Sequence, residues 1–177
     1  TLLPALLLII MAAIVAVIHR IKPNFGLSWL LSVLATMLAL GLMIAFHWLQ
    51  PVALGNNTWL PAAQEAAQIL FQVDDISWSY GICLLCLLLA VLLTAPVRLQ
   101  YRSSPITWLA NLAIGGAALL SVLAATPVTL VLTWTVLDLI DLVVSMASNA
   151  DARINRAAII SFAFRLTGSF LVVWAMG

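Results

Sequence analysis

Charged residues are scarce in this sequence of 177 residues, which has seven lysines and arginines and six aspartates and glutamates. A soluble domain of this length would carry about 44 charges, since roughly 25% of its residues would be charged. So few charges cannot cover a globular surface that faces water, and 65% of the residues are hydrophobic. The sequence therefore predicts an integral membrane protein.

The sequence also has almost no excess of positive charge, only two cysteines and only two histidines, and each of these features excludes a class of function. A net charge of +1 leaves no basic surface for nucleic acid. Cys83 and Cys86 form a single C-x-x-C inside an apolar block, and we interpret them as free hydrophobic side chains because no second pair completes a zinc site. His19 and His47 fall at opposite ends of two successive blocks, about 30 Å apart, which is too far to share one haem. No cofactor or metal is predicted.

Six apolar blocks make up most of the chain. A helix that crosses a bilayer needs about 20 residues, and lipid offers no partner to unpaired backbone groups, so each block is expected to be a helix. The blocks are Leu2–Ile18, Leu27–Leu49, Ser77–Ala95, Pro105–Ala125, Pro127–Ser148 and Ala157–Met176. The sequence thus predicts an all-α membrane bundle, a single membrane domain over residues 1–177 with about six transmembrane helices. Its connections are too short for a soluble catalytic domain, so no catalytic residues are predicted.

Basic residues in the connections predict the orientation of the helices. They follow blocks one, three and five, and none follows blocks two and four: Arg20, Lys22, Arg98, Arg102, Arg153 and Arg156. Loops rich in lysine and arginine stay in the cytoplasm, so both ends of the chain and the connection over 50–76 are expected outside a cytoplasmic (inner) membrane. Within that connection, Pro61 and the apolar spacing predict a short interfacial helix over Trp59–Phe71, and a plain loop capping the bundle is the alternative.

Three charges fall inside the predicted spans. Asp138, Asp141 and Arg165 each cost at least about 2.5–3.5 kcal/mol at the centre of a bilayer, so each needs a partner, a water-filled cavity or a function. The two aspartates are three residues apart and share one helix face, which Trp134 and Ser145 continue and which must face protein. At about 1.5 Å per residue Arg165 lies level with the gap between them, and we expect an ion pair.

One arginine cannot neutralise two carboxylates. The three groups therefore carry a net negative charge or hold a proton, which is the chemistry expected of a proton relay. The structural alternative is a buried ion pair that fixes helix packing. Small residues of the sixth block, Ser161, Gly168 and Ser169, offer a surface on which a helix can approach closely. Trp134, Ser145 and Ser161 are the candidate supporting residues of the cluster.

Several segments together resemble the antiporter-like subunits of respiratory complex I and of Mrp-type cation/proton antiporters. Phe71–Ser77 is similar to the V-D-G-L-S segment that leads into their third helix, and Arg98–Arg102 is similar to their tyrosine-bearing loop. Thr133–Leu142 resembles their fifth helix, with Asp138 at the position of the family's midmembrane glutamate. The beginning of the sixth block, Arg156-Ala157-Ala158, and the small residues Ser169 and Gly177 also look related, and the expected outside N-terminus agrees.

The resemblance implies a proton-translocating subunit of an NADH:quinone oxidoreductase-like complex. It implies that other membrane subunits, lipid and protons or monovalent cations are the partners, with Asp138 as the switchable acid, Asp141 as its proton-sharing neighbour and Arg165 as the charge that tunes both. The family's glutamate pairs with a lysine on a seventh helix. This sequence has Asp for Glu, adds Asp141 and Arg165, begins without Met and stops at Gly177 after six blocks, so we expect it to be part of a longer polypeptide.

Two other classes of function remain as alternatives. One is a membrane scaffold that moves no ions and organises neighbouring redox or light-driven subunits, in which the ion pair is purely structural. The other is an electron carrier, which the spacing of the histidines and cysteines disfavours.

Overall fold

The computed structural model of the chain is all-helical, as the composition predicts. It describes residues 2–21, 25–48, 69–98, 106–148 and 152–176. The helices of the described residues are α1 (Leu3–Ile21), α2 (Phe25–Trp48), α3 (Asp75–Arg98), α4 (Ile106–Val122), α5 (Pro127–Ser148) and α6 (Ala152–Met176). Each predicted block thus holds one helix. The largest difference is that α6 begins at Ala152 rather than at Ala157, and every other boundary differs by three residues or fewer.

Successive helices run antiparallel, as contacts near their ends show. Trp29, near the start of α2, donates its indole N–H to the carbonyl of Leu92 near the end of α3, at 2.8 Å. At the other end of the same pair, Trp78 of α3 donates to the carbonyl of Met43 at 2.9 Å. Gly81 near the start of α3 lies against Leu119 near the end of α4, and Gly116 of α4 lies against Ala5 near the start of α1. The last residues of α1 and α3 therefore lie at one end of the molecule, and so does the end of α5, which packs against α4 after a short turn. We call it the basic end, because the six basic connection residues of the sequence lie at or follow these helix ends.

The hydrogen bond from Trp29 satisfies a backbone group that its own helix cannot. In an α-helix the carbonyl of residue 92 accepts from the N–H of residue 96, and residue 96 is Pro96, which has no N–H. An unpaired carbonyl in hydrocarbon costs several kcal/mol. The indole of Trp29 takes the place of the missing donor, so this tryptophan joins α2 to α3 as well as lying near the end of a span.

Small residues let α1, α3 and α4 approach closely. A Cβ on Gly116 would lie 3.2 Å from the carbonyl oxygen of Ala5 in α1, and one on Gly115 would lie 2.6 Å from a methyl of Leu88 in α3. The adjacent glycines of α4 thus face two different helices, as a surface for close helix packing requires. Around them lies a core from α1 to α4 whose largest fully buried members include Leu8, Met43, Leu85, Leu112 and Leu119.

Two polar residues buried along α2 are satisfied within the helix. Ser32 donates to the carbonyl of Ser28 at 2.8 Å, and Thr36 donates to the carbonyl of Ser32 at 2.9 Å. Each hydroxyl bonds four residues back, which is the usual way for a serine or threonine to be tolerated inside a helix. This stripe therefore serves packing and needs no ligand.

At the end opposite the basic end, an extended segment pairs with the α4–α5 turn. The N–H of Gln72 donates to the carbonyl of Leu123, and the N–H of Ala125 donates to the carbonyl of Leu70. This pairing explains why α4 stops at Val122. It also shows that residues 69–71, the end of the predicted interfacial helix, are extended, whereas 59–68 lie outside the described residues.

The segment Phe71–Ser77, which resembles the motif before the third helix of antiporter-like subunits, forms the N-terminal cap of α3. Asp74 Oδ1 accepts from the N–H of Ser77 at 2.7 Å, and Ser77 Oγ accepts from the N–H of Asp74 at 2.9 Å. This reciprocal pair satisfies two backbone donors at the start of α3, in the manner of a capping box. The bonds from Ser77 lower the pKa of the Asp74 carboxyl below 3.8, because they stabilise its charged form.

Four helices are long and apolar enough to cross a membrane, over Leu3–Ile21, Gly26–Phe46, Asp75–Thr94 and Pro127–Ala147. The apolar part of α4, Thr107–Val122, is shorter. The sixth helix carries Arg153, Arg156 and Arg165 along its length. The all-α membrane bundle is thus confirmed, and six crossings with both ends outside stay a prediction.

Candidate functional site

The last two helices form a pair at the edge of the bundle. Within the described residues α5 packs against α4 and α6, and α6 packs against α5 alone. Near its beginning α5 buries Thr129, Val131 and Thr133. The second half of α5 and all of α6 therefore lie outside the core, and a groove runs between them.

Asp138, Asp141 and Arg165 meet in the middle of this groove, as the sequence predicts. One guanidinium nitrogen of Arg165, Nη1, lies 2.9 Å from Asp138 Oδ1 and 3.2 Å from Asp141 Oδ2. Asp138 is central in α5 and Arg165 is central in α6, so the cluster lies at the middle of both helices. A single donor atom thus holds two carboxylates.

The three side chains differ in their exposure. Asp138 is 15% exposed, whereas Asp141 is 48% exposed and Arg165 is 52% exposed. The expectation that this face looks into protein is therefore only partly met, because no described helix covers the groove. At the middle of a membrane such an uncovered cluster would face lipid, so a further protein segment, or water, must lie against it.

A cleft opens on each side of the ion pair along the groove. The cleft toward the basic end has a volume of about 320 Å³ and contains Ser145 and Ser161 beside both aspartates; we call it the serine cleft. The cleft toward the opposite end has a volume of about 400 Å³ and is lined by Val131, Trp134, Leu137 and Val172; we call it the apolar cleft. Asp138 and Arg165 line both.

The predicted supporting residues all reach the groove. Ser145 and Ser161 line the serine cleft, and Trp134, which is 48% exposed, lines the apolar cleft. Sequence periodicity could place these residues on one face of each helix but not tell which cleft each would line. Gly168 also lies in the groove, with no atom within 4 Å of the position of its Cβ, so it brings no described helix close.

The histidines and cysteines lie away from this groove. Cys83 and Cys86 are both free, as predicted, and they lie exposed on α3 rather than in the core. His19 lies in the last turn of α1, and the side chain of His47 lies outside the described part of the chain. Among the described residues, no group of three or more His, Cys, Asp or Glu side chains is placed to hold a metal ion.

No family model matches the sequence, and comparison with curated proteins finds no relative. The resemblance to antiporter-like subunits therefore rests on short segments of the sequence alone. Of the matching residues, Asp138 is the one that the structure brings into a charged cluster, and Asp74 and Ser77 form a helix cap. The groove between α5 and α6 is therefore the candidate functional site.

Proposed function

We propose that this chain is a subunit of a membrane complex that translocates protons or monovalent cations, with Asp138 as the switchable acid of the α5–α6 groove. The observation that supports this most strongly is the sharing of Arg165 Nη1 by two carboxylates at the middle of two helices. Such an arrangement is costly in a membrane and does not neutralise itself, which is typical of proton and cation pathways.

Because Arg165 contacts both aspartates, the cluster can adopt two states of similar geometry, in which the arginine is paired with one carboxylate or with the other. When one carboxylate takes up a proton, its attraction for the guanidinium weakens, and Arg165 keeps its charged hydrogen bond to the other carboxylate. Because Asp138 and Asp141 are one helical turn apart, this exchange needs only a small side-chain movement. The cluster can therefore pass a proton between two sites while its arginine stays paired.

The resemblance supports a more specific version of the proposal. The complex would be related to respiratory complex I or to Mrp-type antiporters, in a cytoplasmic membrane, with other membrane subunits as partners. The segment with the Asp74–Ser77 cap precedes α3, and the acidic run containing Asp138 lies in the fifth helix, in the order that the resemblance requires. The basic end would then face the cytoplasm.

Asp138→Asn, made in the intact complex, tests the proposal by proton flux across membrane vesicles. The amide keeps the shape of the side chain but cannot exchange a proton, so we expect the flux to fall about a hundredfold, as when a proton-transfer group is lost. Assembly should be unchanged. Asp74→Asn is the matched control, because Asp74 lies in the helix cap, away from the groove, and its amide can still cap α3.

A scaffold subunit that moves no ions is the second candidate, and the ion pair itself favours it. In a scaffold, Asp138→Asn weakens a structural contact between α5 and α6, so the amount of assembled complex falls. Unchanged flux per assembled complex would reject the translocation proposal and support the scaffold.

A further inference from the structure

The ion pair divides the α5–α6 groove into two clefts of different chemistry. Arg165 and Asp138 line both clefts, so they stand where the two meet. Asp141 lines the serine cleft only. The more exposed acid is therefore on the side of the basic end.

The serine cleft is suited to water. Its lining includes Ser145 and Ser161 as well as Asp138 and Asp141, and a cleft of this size with several polar residues can hold ordered water. It also reaches Ala157, which follows the exposed Arg156 near the beginning of α6. The serine cleft thus extends from the basic end to the ion pair.

The apolar cleft offers no such path. Apart from Asp138 and Arg165, which line both clefts, its wall is mostly apolar and includes Val131, Trp134, Leu137, Gly168 and Val172. Ser169 is its one hydroxyl, and this group donates to the carbonyl of Arg165 in its own helix at 3.2 Å. A cavity lined in this way favours apolar contents over water.

We propose that water and protons reach the acid pair from the basic end alone, through the serine cleft, and that Arg165 closes the groove toward the opposite end. Asp141 is then the first acid that an incoming proton meets, and Asp138 is the second. The function of this route rests on the proposed translocation, whereas the difference in access between the two clefts is a property of the groove itself.

Single cysteines placed in the two clefts test the difference in access. Ser161→Cys and Ser169→Cys are a matched pair, since each residue lies four positions from Arg165, about 6 Å along α6, on opposite sides. They are introduced into the complex in a chain with Cys83→Ala and Cys86→Ala, and exposed in membranes to a charged methanethiosulfonate. Because the thiolate is the reactive form and needs a polar environment, we expect Ser161→Cys to react about tenfold faster or more. Neutral N-ethylmaleimide, which enters lipid, reports whether each cysteine is reachable.

The direction of access gives the second readout. The charged reagent should modify Ser161→Cys when it is added on the side of the basic end, and not when it is added only on the other side. Equal rates, faster reaction of Ser169→Cys, or no reaction of either cysteine would overturn the one-sided route. The flux of Asp138→Asn is measured separately, so a lost flux together with equal cysteine reactivity would keep the proposed function and reject the route.

Discussion

The helices α1 to α4 and the pair α5–α6 are built on opposite packing principles. In the first unit, glycines bring backbones together, tryptophans bond across helices, and the buried hydroxyls of α2 bond within their own helix. In the second, Gly168 faces open space and charged side chains line an uncovered groove. The first unit resembles a closed structural core, and the second resembles a site left accessible. This difference shows that the candidate site is marked by charged side chains within the spans, which are costly in a membrane. Polar residues in general do not mark it, since the hydroxyls of Ser32 and Thr36 in α2 bond within their own helix.

The largest effect on stability is expected in the unit formed by α1 to α4, at Gly116, where neighbouring atoms already occupy the space that a side chain would need. Gly116→Val places a branched side chain against Ile9 and the carbonyl of Ala5, so α1 has to move away from α4. We expect a loss of about 1–3 kcal/mol in the free energy of unfolding, as for other overpacked cores. Unfolding of the purified protein in detergent measures it.

Gly168→Ala is the matched change in the open pair. Nothing lies within 4 Å of that Cβ position, and alanine favours a helix over glycine by about 1 kcal/mol, so stability should stay the same or rise. If Gly168→Ala destabilised the chain as much as Gly116→Val, the distinction between a closed and an open region would be lost.

The bond between Trp29 and Leu92 is expected to have the next largest effect. Trp29→Phe keeps the aromatic ring but leaves the Leu92 carbonyl without a donor, because Pro96 supplies none, and we expect a cost of about 1–3 kcal/mol. Thermal unfolding in detergent measures the loss.

Pro96→Ala gives the control for this explanation. It restores a backbone N–H to the position that pairs with Leu92 in a regular helix. The cost of Trp29→Phe should therefore be smaller in the Pro96→Ala background. An identical cost in both backgrounds would mean that Trp29 stabilises the chain by packing alone.

The smallest effect is expected at the helix cap of α3. Because the hydrogen bonds from Ser77 hold the pKa of Asp74 below its usual value, the cap contributes fully above the ordinary pKa of an aspartate, and its contribution fades as the pH falls through the lowered value. Asp74→Ala should cost about 1 kcal/mol at neutral pH. Asp74→Asn should keep most of the cap at both acid and neutral pH.

Amide hydrogen exchange at the start of α3 measures the cap effect. Faster exchange in Asp74→Ala than in the parent at neutral pH, with the difference shrinking in acid, fits the explanation. A difference between Asp74→Ala and the parent that stays the same across this pH range would show that the carboxylate does not act through its charge.

Sequence patterns anticipate the helices well because apolar runs of this length admit few alternatives. They also anticipate the cluster, since Asp138 and Asp141 are one turn apart and a short connection makes α5 and α6 neighbours. They do not anticipate the pairing of residues 69–73 with the α4–α5 turn, which depends on distant backbone groups. Nor do they show that Gly116 is enclosed and Gly168 open, because helix rotation and the order of packing decide that.

Exchanging the aspartate of α5 and the arginine of α6 tests most directly the central claim, that Asp138 carries protons. The double variant Asp138→Arg with Arg165→Asp keeps an arginine opposite a carboxylate and leaves Asp141 in place, so a purely structural contact is preserved. Proton flux per assembled complex is measured in membrane vesicles. We expect assembly close to that of the parent and a flux lowered about a hundredfold, because the two acids then lie on different helices and no longer one helical turn apart on α5. A flux equal to that of the parent would contradict the proposal that Asp138 carries protons.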